Sequence, residues 1–398
     1  MPLNLSTKFS GEGVMSKTYE EINAKIQSGE AVVVTAEEMV GIVGAKGAKH
    51  AAENVDVVTT GTFAPMCSSG AFINIGQTIP TIKTSKMWLN KVPAYAGLAA
   101  VDAFLGATEP SEDDPLNKIY PEKFKYGGGH VIEDLLRGEP VFLEAKAYGT
   151  DCYNAKKLKK TVYLDDLPNV LLCNPRNGYQ NYNCAVNCTD KTVYTYLGML
   201  KSNCQNAYYC SAGELSPLLN DPYYKTIGMG TRIFLGGGVG YVTWHGTQHN
   251  PGVERTPGGV PKGPAGTIMV QGDVKQMSAE YLRGASILGY GNSLAVGLGI
   301  PIPILDEEMA RYTGVSDKEL ITKVVDYGSD YTNGIAGHYG EVSYHQLKSG
   351  TITVQGKEVP TAPLSSMTKA RQIAESLKKW ILDNKFLIGK PVETLPGE

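Results

Sequence analysis

No stretch of this sequence stays apolar over the length needed to cross a bilayer, and its first 14 residues lack the apolar core of an export signal. Charge is also scarce: charged residues make up 19% of the 398, and the formal net charge is −3. Such a chain offers no electrostatic footprint for nucleic acid. Its one dense basic run, Lys156-Lys157-Leu158-Lys159-Lys160, reads as a solvated lead-in to a strand. The seven cysteines are an odd number in a long chain, which argues against a disulfide framework and leads us to expect a cytoplasmic protein with reduced thiols. A Walker sequence is absent. Gly236-Gly-Gly-Val-Gly240 lacks both the Gly-x-Gly-x-x-Gly order and the strand-to-helix setting of a dinucleotide site. ATP and dinucleotides are therefore disfavoured. There is neither an internal repeat nor a low-complexity tract.

What is plentiful is glycine, at 46 residues, and tyrosine, at 23. That usage predicts a compact enzyme of mixed α/β (α+β) class, built from Gly-rich strands and loops with short helices. Residues 1–14 read as a polar extension, and 15–390 as a single catalytic domain with room for two subdomains. Helical periodicity over Thr18–Gln27 is followed by a strand at Ala31–Thr35, a capping box Thr35-Ala-Glu-Glu38 that opens a second helix, and a strand at Val55–Thr60. Residues 105–126 read as an exposed loop, Val131–Arg137 as a short helix, and Val141–Tyr148 and Asn169–Asn174 as strands. Ser316-Asp-Lys-Glu319 predicts a helix running to Tyr327. A hairpin is expected through Gln355-Gly356, and a C-terminal amphipathic helix over Ser366–Lys385, with Ala370, Ile373, Leu377 and Trp380 on one face.

Two cysteines sit in segments suited to presenting them, each just beyond a predicted strand: Cys67 in Gly61-Thr-Phe-Ala-Pro-Met-Cys-Ser-Ser-Gly70 and Cys152 in Tyr148-Gly-Thr-Asp-Cys-Tyr153. Small neighbours leave backbone amides free to face the Cys67 sulfur, and a thiolate is both a nucleophile and a soft metal ligand. A buried, inert thiol is the commoner fate of a free cysteine. Cys184 and Cys188 could share a helix face, with Cys204 and Cys210 not far behind, but these spacings match no zinc or ferredoxin pattern. His245 and His249 are loop candidates for acid–base work, and His130, behind three glycines, could face an anion at a helix N-terminus. Arg176 and Arg232, each near a strand end, could clamp a carboxylate.

Longer segments carry a resemblance. They are Glu30–Met39, Thr60–Cys67, Ala147–Cys152, Asn174-Pro-Arg-Asn177 with Tyr179–Tyr182, Ser216–Tyr224, Gly230–Gly238 and Gly246–Pro251. Together they resemble the homocysteine biosynthesis, sulfur-incorporation family of anaerobic archaea and bacteria, from about Met15 to Leu387. We expect no regulatory CBS pair of the kind some members carry. The resemblance implies a sulfurtransferase that combines L-aspartate semialdehyde with sulfide, helped by a small ferredoxin-like electron donor, with Cys67 and Cys152 as the essential thiols and a homo-oligomeric state. Two routes are open under it. In one, a Cys67 persulfide attacks the aldehyde and Cys152 resolves it as a disulfide. In the other, Cys67, Cys152 and a third cysteine, such as Cys173 or Cys184, bind a 4Fe–4S cluster that carries sulfide. Arg176 or Arg232 would take the substrate carboxylate, with His130 as a further binding residue, and His245 or His249, His249 foremost, would protonate the departing oxygen. A non-catalytic sulfur or cluster carrier is the competing reading.

Overall fold

Thr18 and Thr35 each open a helix in the same way. The Thr18 hydroxyl accepts from the Glu21 amide at 3.1 Å, and the Glu21 carboxylate accepts from the Thr18 amide at 2.8 Å, so two orphan donors at the helix end are satisfied reciprocally. The helices are α1 (Tyr19–Ser28) and, after the short strand β1 (Val33–Thr35), α2 (Ala36–Asn54). Our computed structural model describes residues 16–397 apart from 330 and 335, so the expected polar extension lies outside the described residues.

The chain continues through β2 (Val57–Thr59), β3 (Thr62–Pro65), β4 (Gly70–Asn74), β5 (Thr84–Leu89), β6 (Val92–Ala94), β7 (Asp102–Gly106), α3 (Gly128–Leu136), β8 (Val141–Ala147), β9 (Lys157–Val162) and β10 (Asn169–Asn177). Next come β11 (Cys184–Val186), a hairpin of β12 (Val193–Thr195) and β13 (Gly198–Leu200), β14 (Ala207–Tyr209), α4 (Pro217–Asn220) and β15 (Gly228–Met229). Then follow β16 (Arg232–Leu235), β17 (Gly238–His245), β18 (Ile268–Asp273), β19 (Leu282–Ile287), β20 (Gly291–Gly299), β21 (Pro301–Pro303), α5 (Glu307–Thr313), β22 (Ile321–Asp326) and β23 (His338–Ser343). The last elements used here are α6 (Tyr344–Lys348), β24 (Thr351–Val354), β25 (Lys357–Pro363) and α7 (Met367–Leu382).

Three sheets matter for the site. Among the described residues a nine-stranded antiparallel sheet runs β7-β4-β10-β18-β17-β16-β20, with β19 and β3 also pairing β20. A six-stranded sheet, β23-β22-β11-β14-β25-β24, mixes parallel and antiparallel pairs. A four-stranded antiparallel sheet, β6-β5-β8-β9, carries the Cys152 loop. The main core gathers around the large sheet, whose β20 is buried along nearly its whole length. The Leu294–Gly299 part of β20 accordingly shows no alternation of apolar and polar residues, while Asn292 and Ser293 are buried polar groups. Helix α7 lays Ala370, Ile373, Ala374, Leu377 and Ile381 against the β3–β20 region, while Trp380 is only partly covered.

Four local expectations give way. The Ser316 amide and hydroxyl both donate to the Glu319 carboxylate (3.0 and 2.8 Å), which is half of a capping box, but the chain turns there and continues as β22, because Ile321–Asp326 alternates its burial on a sheet. Cys184 lies on a strand, so no helix face joins it to Cys188. Cys188 instead pairs with Cys204 as a disulfide with Cα atoms 4.6 Å apart, which corrects the expectation that all thiols are free. The Asn169–Asn174 strand also runs on through Pro175 and Arg176 to Asn177.

An ion triad centred on the buried Asp56 ties the first helix to the start of β2. Lys17 and Lys25 reach Asp56 Oδ1 at 3.0 and 2.8 Å, and the Asp56 side chain is 2% exposed. Burial alone would raise the Asp56 pKa. The hydrogen bonds from Lys25, the Val32 amide and Lys17 outweigh it, so the carboxyl sits below its ordinary value.

Candidate active site

Cys67 lies in the tight connection between β3 and β4. Strand β3 pairs with β20 and β4 pairs with β10, so these four residues, Met66–Ser69, carry the chain from one strand of the large sheet to another. The Ser69 amide donates to the Met66 carbonyl at 3.0 Å and closes the turn. The Cys67 thiol is half-buried, and the Ser293 hydroxyl on β20 donates to its sulfur at 3.2 Å. Ser293 is positioned by close packing: a Cβ on Gly129 would collide with the Ser293 carbonyl, so the glycines before His130 let α3 settle on β20. Packing, rather than anion binding, is their visible use.

Arg176 reaches the same place through an irregularity. The pairing of β10 with β18 slips between Asn174 and Asn177, a bulge that re-aims the side chains there. The fully buried Asn174 spans both halves of the site. Its Nδ2 donates to Ser69 Oγ at 2.8 Å, and its Oδ1 accepts from the Arg176 amide at 3.0 Å. Cys67 and Arg176 thereby line one cavity of about 250 Å³.

The remaining wall is aromatic. Tyr179, Tyr182, Tyr196, Tyr290 and Tyr331 face the space, with Tyr182–Tyr196 and Tyr196–Tyr290 ring centres 6.4 and 6.2 Å apart. The Tyr196 and Tyr327 hydroxyls are 3.0 Å apart. Burial is the main reason the Tyr179, Tyr182 and Tyr196 hydroxyls are pushed above their ordinary range; Arg176 pulls Tyr179 and Tyr182 partly back. No Asp, Glu, Lys or His lines the cavity, so Arg176 is its one charged side chain among the described residues. The Arg176 Nε and the Thr62 hydroxyl are buried without a partner. An uncompensated guanidinium donor in such a space suits an anionic group. A second thiol, Cys210, also faces the cavity from the end of β14, and burial pushes it up to about 12.

The other candidates lie elsewhere. Cys152 is exposed on the β8–β9 loop, its sulfur 3.7 Å from Thr150 Oγ1 and its carbonyl accepting from Thr81 Oγ1 at 2.9 Å; it does not line the cavity. His249 lines an adjoining space that shares Tyr179, Tyr182 and Gln248 with the first. Both of its ring nitrogens meet backbone: the Thr267 amide lies 3.1 Å from Nδ1 and the Pro396 carbonyl 3.0 Å from Nε2, which a neutral ring protonated at Nε2 satisfies. His245, the last residue of β17, has its ring centre 5.7 Å from that of His249. Arg232 stacks on Phe386 at 4.5 Å, among the residues packed by α7. His130 stacks on Tyr126, lies 3.3 Å from Ser286 Oγ, and is shifted down mainly by burial.

Cys173 and Cys184 are buried on β10 and β11, away from the cavity wall. Nowhere among the described residues do three His, Cys, Asp or Glu side chains gather to hold a metal ion. The three-cysteine set a 4Fe–4S cluster would need is thus not assembled among the described residues.

Sequence reasoning passed over Tyr290, Ser293, Tyr196 and Tyr331, and weighed Cys210 only as part of a cysteine group, not as a wall of this cavity. The abundance of tyrosine was a signal of composition only, since residues this distant in sequence show no spacing that would reveal a shared cavity.

A family model described as "Homocysteine biosynthesis enzyme, sulfur-incorporation" matches residues 31–388. The chain is 49% identical over 387 residues to a Methanosarcina acetivorans protein named L-aspartate semialdehyde sulfurtransferase, covering 97% of this chain and 73% of that one. It is 47% identical over 395 residues to a Methanocaldococcus jannaschii protein of the same name, covering 96% and 74%. A Methanothermobacter thermautotrophicus protein without an assigned role is 27% identical over 348 residues, covering 85% and 73%. No solved structure matches the chain.

Proposed function

The chain belongs to the homocysteine biosynthesis, sulfur-incorporation family, and on that premise we propose that it transfers sulfur to L-aspartate semialdehyde and forms homocysteine. The net change is the aldehyde plus hydrogen sulfide, two electrons and two protons, giving the thiol and water. The observation that carries the reading is the meeting of Cys67 with Arg176 in a cavity without an acidic side chain. A nucleophilic sulfur and a carboxylate receptor within one small space are what this substrate requires. Arg176 holds the carboxylate, and the tyrosine rings offer π faces to the substrate ammonium.

In this reading Cys67 carries the sulfur as a persulfide, whose terminal atom attacks the carbonyl carbon. A resolving thiol then attacks Cys67 Sγ. The bond between the two sulfurs breaks, a disulfide forms, and the substrate leaves as a thiohemiacetal. Loss of water gives the thioaldehyde. Two electrons from the ferredoxin-like donor and two protons reduce it to homocysteine. Sulfide reopening the disulfide restores both the persulfide and the free thiol, so the sulfur cycle needs no further oxidant. Cys152 takes the resolving role only if the β8–β9 loop delivers it to the cavity. The experiment is to supply purified protein with L-aspartate semialdehyde, sulfide and a low-potential reductant and to measure homocysteine. Product from the wild type and none from Cys67→Ser is expected; full activity in Cys67→Ser overturns the reading.

A further inference from the structure

Sulfur addition to an aldehyde leaves negative charge on the carbonyl oxygen, and a proton must reach that oxygen before water can depart. The cavity wall contains no His, Asp, Glu or Lys among the described residues. A guanidinium serves to bind charge and is not a proton donor of this kind. Beside the far less acidic hydroxyls of Thr62, Ser211, Ser216 and Ser365, the wall offers the tyrosine hydroxyls and the Cys210 thiol as donors. Of the five wall tyrosines, Tyr290 is the one that stands immediately before β20, three residues ahead of the Ser293 whose hydroxyl donates to the Cys67 sulfur. Tyr196 has its hydroxyl engaged by Tyr327, and His249 has both ring nitrogens held by backbone in the neighbouring space.

We propose that Tyr290 is the proton donor to the aldehyde oxygen during sulfur attack, and that Ser293 is the positioning residue that holds Cys67 beside it. This rests on the sulfurtransferase reading above. As the new carbon–sulfur bond forms, the Tyr290 proton passes to the carbonyl oxygen, the thiohemiacetal hydroxyl forms, and a phenolate remains. The phenolate regains its proton from water or hydrogen sulfide, because Tyr290 is 44% exposed and open to solvent on one side. Burial first, and then the neighbouring Cys67, push the Tyr290 hydroxyl above its ordinary range, so it stays charged with its proton until the oxygen needs it.

The test uses the full chain with sulfide, L-aspartate semialdehyde and reductant. Tyr290→Phe lowers kcat by roughly 10²-fold or more, the usual scale of general acid catalysis, and leaves KM within about threefold. A merely structural role would also disturb Cys67, so the rate of Cys67 alkylation by iodoacetamide is followed and should match the wild type. A fluorinated tyrosine at position 290, being a stronger acid, moves the alkaline limb of the kcat profile to lower pH. A kcat within threefold of wild type, an unmoved alkaline limb, or a comparable loss found in Tyr179→Phe or His249→Asn instead would each overturn the assignment. Absence of homocysteine from the wild type sinks the sulfurtransferase reading and this one with it; an active wild type with an active Tyr290→Phe sinks this one alone.

Discussion

The Ser293 hydroxyl donates to the Cys67 sulfur at 3.2 Å across 226 positions of sequence. The bond fixes the direction in which the sulfur points, and it comes from a strand packed on both faces, so it cannot drift. Ser293→Ala should slow both kcat and Cys67 alkylation by several-fold, since a hydrogen bond of this kind contributes about 1 kcal/mol. Alkylation at wild-type rate, followed by mass spectrometry, would show that the bond does not orient the thiol.

Asn174 is the next most informative position, because it holds the Cys67 turn through Ser69 and the Arg176 bulge through the backbone. Asn174→Ala leaves two buried partners unpaired, at about 1–3 kcal/mol each. Its melting temperature should fall, and KM and kcat should worsen together, in contrast to the single-parameter effect expected at Tyr290.

Arg176→Lys keeps the charge but loses the planar fork that matches a carboxylate. KM for L-aspartate semialdehyde should rise by roughly tenfold, or about 1.4 kcal/mol, with kcat at saturation changed much less. Steady-state kinetics over a wide substrate range checks this, and unchanged kinetics would remove Arg176 from the binding site.

Thiol reactivity should divide by environment. Exposed Cys152 and half-buried Cys67 are expected to alkylate first in the native protein. Cys184 and Cys210 should lag far behind, since burial pushes both thiols up to about 12 and leaves little thiolate at neutral pH. Time-resolved peptide mapping after iodoacetamide treatment gives the order directly. Under non-reducing conditions the same map should recover Cys188 linked to Cys204.

Asp56 predicts a stability effect far from the chemistry. Its folded pKa is depressed, so its contribution is fully present above the ordinary carboxylate value and fades as pH falls below it through the folded pKa. Asp56→Ala should cost about 3 kcal/mol at neutral pH, because it leaves Lys17 facing a buried gap. The difference from wild type should shrink in acid. Denaturant melts at neutral and acidic pH measure both, and a pH-independent difference would mean the triad is not the cause.

Much of the local structure could be read residue by residue. Thr18 and Thr35 announce their helices because a capping box is complete within four residues. Cys67 and Cys152 stood out through their small, polar neighbours, and Arg176 through its place near a strand end. The Ser316–Glu319 signal misled for a physical reason: a cap satisfies the backbone of a single turn equally well, and only the pairing of β22 with β11 and β23 decides that a strand follows.

By itself the order of residues settled the helix starts at Thr18 and Thr35 and the family, and it pointed to thiols and arginines as candidates. It could not settle which of these groups meet. That depended on the crossing of β3, β4, β10 and β20 within one sheet, on the bulge at Arg176, and on the glycines that let α3 approach Ser293. Contacts between distant strands arise from shape and packing over the whole core, and such terms leave no trace in the spacing of neighbours along the chain. Tyr290 therefore looked like one tyrosine among 23, and became a candidate acid only when folding brought it into the same cavity as Cys67.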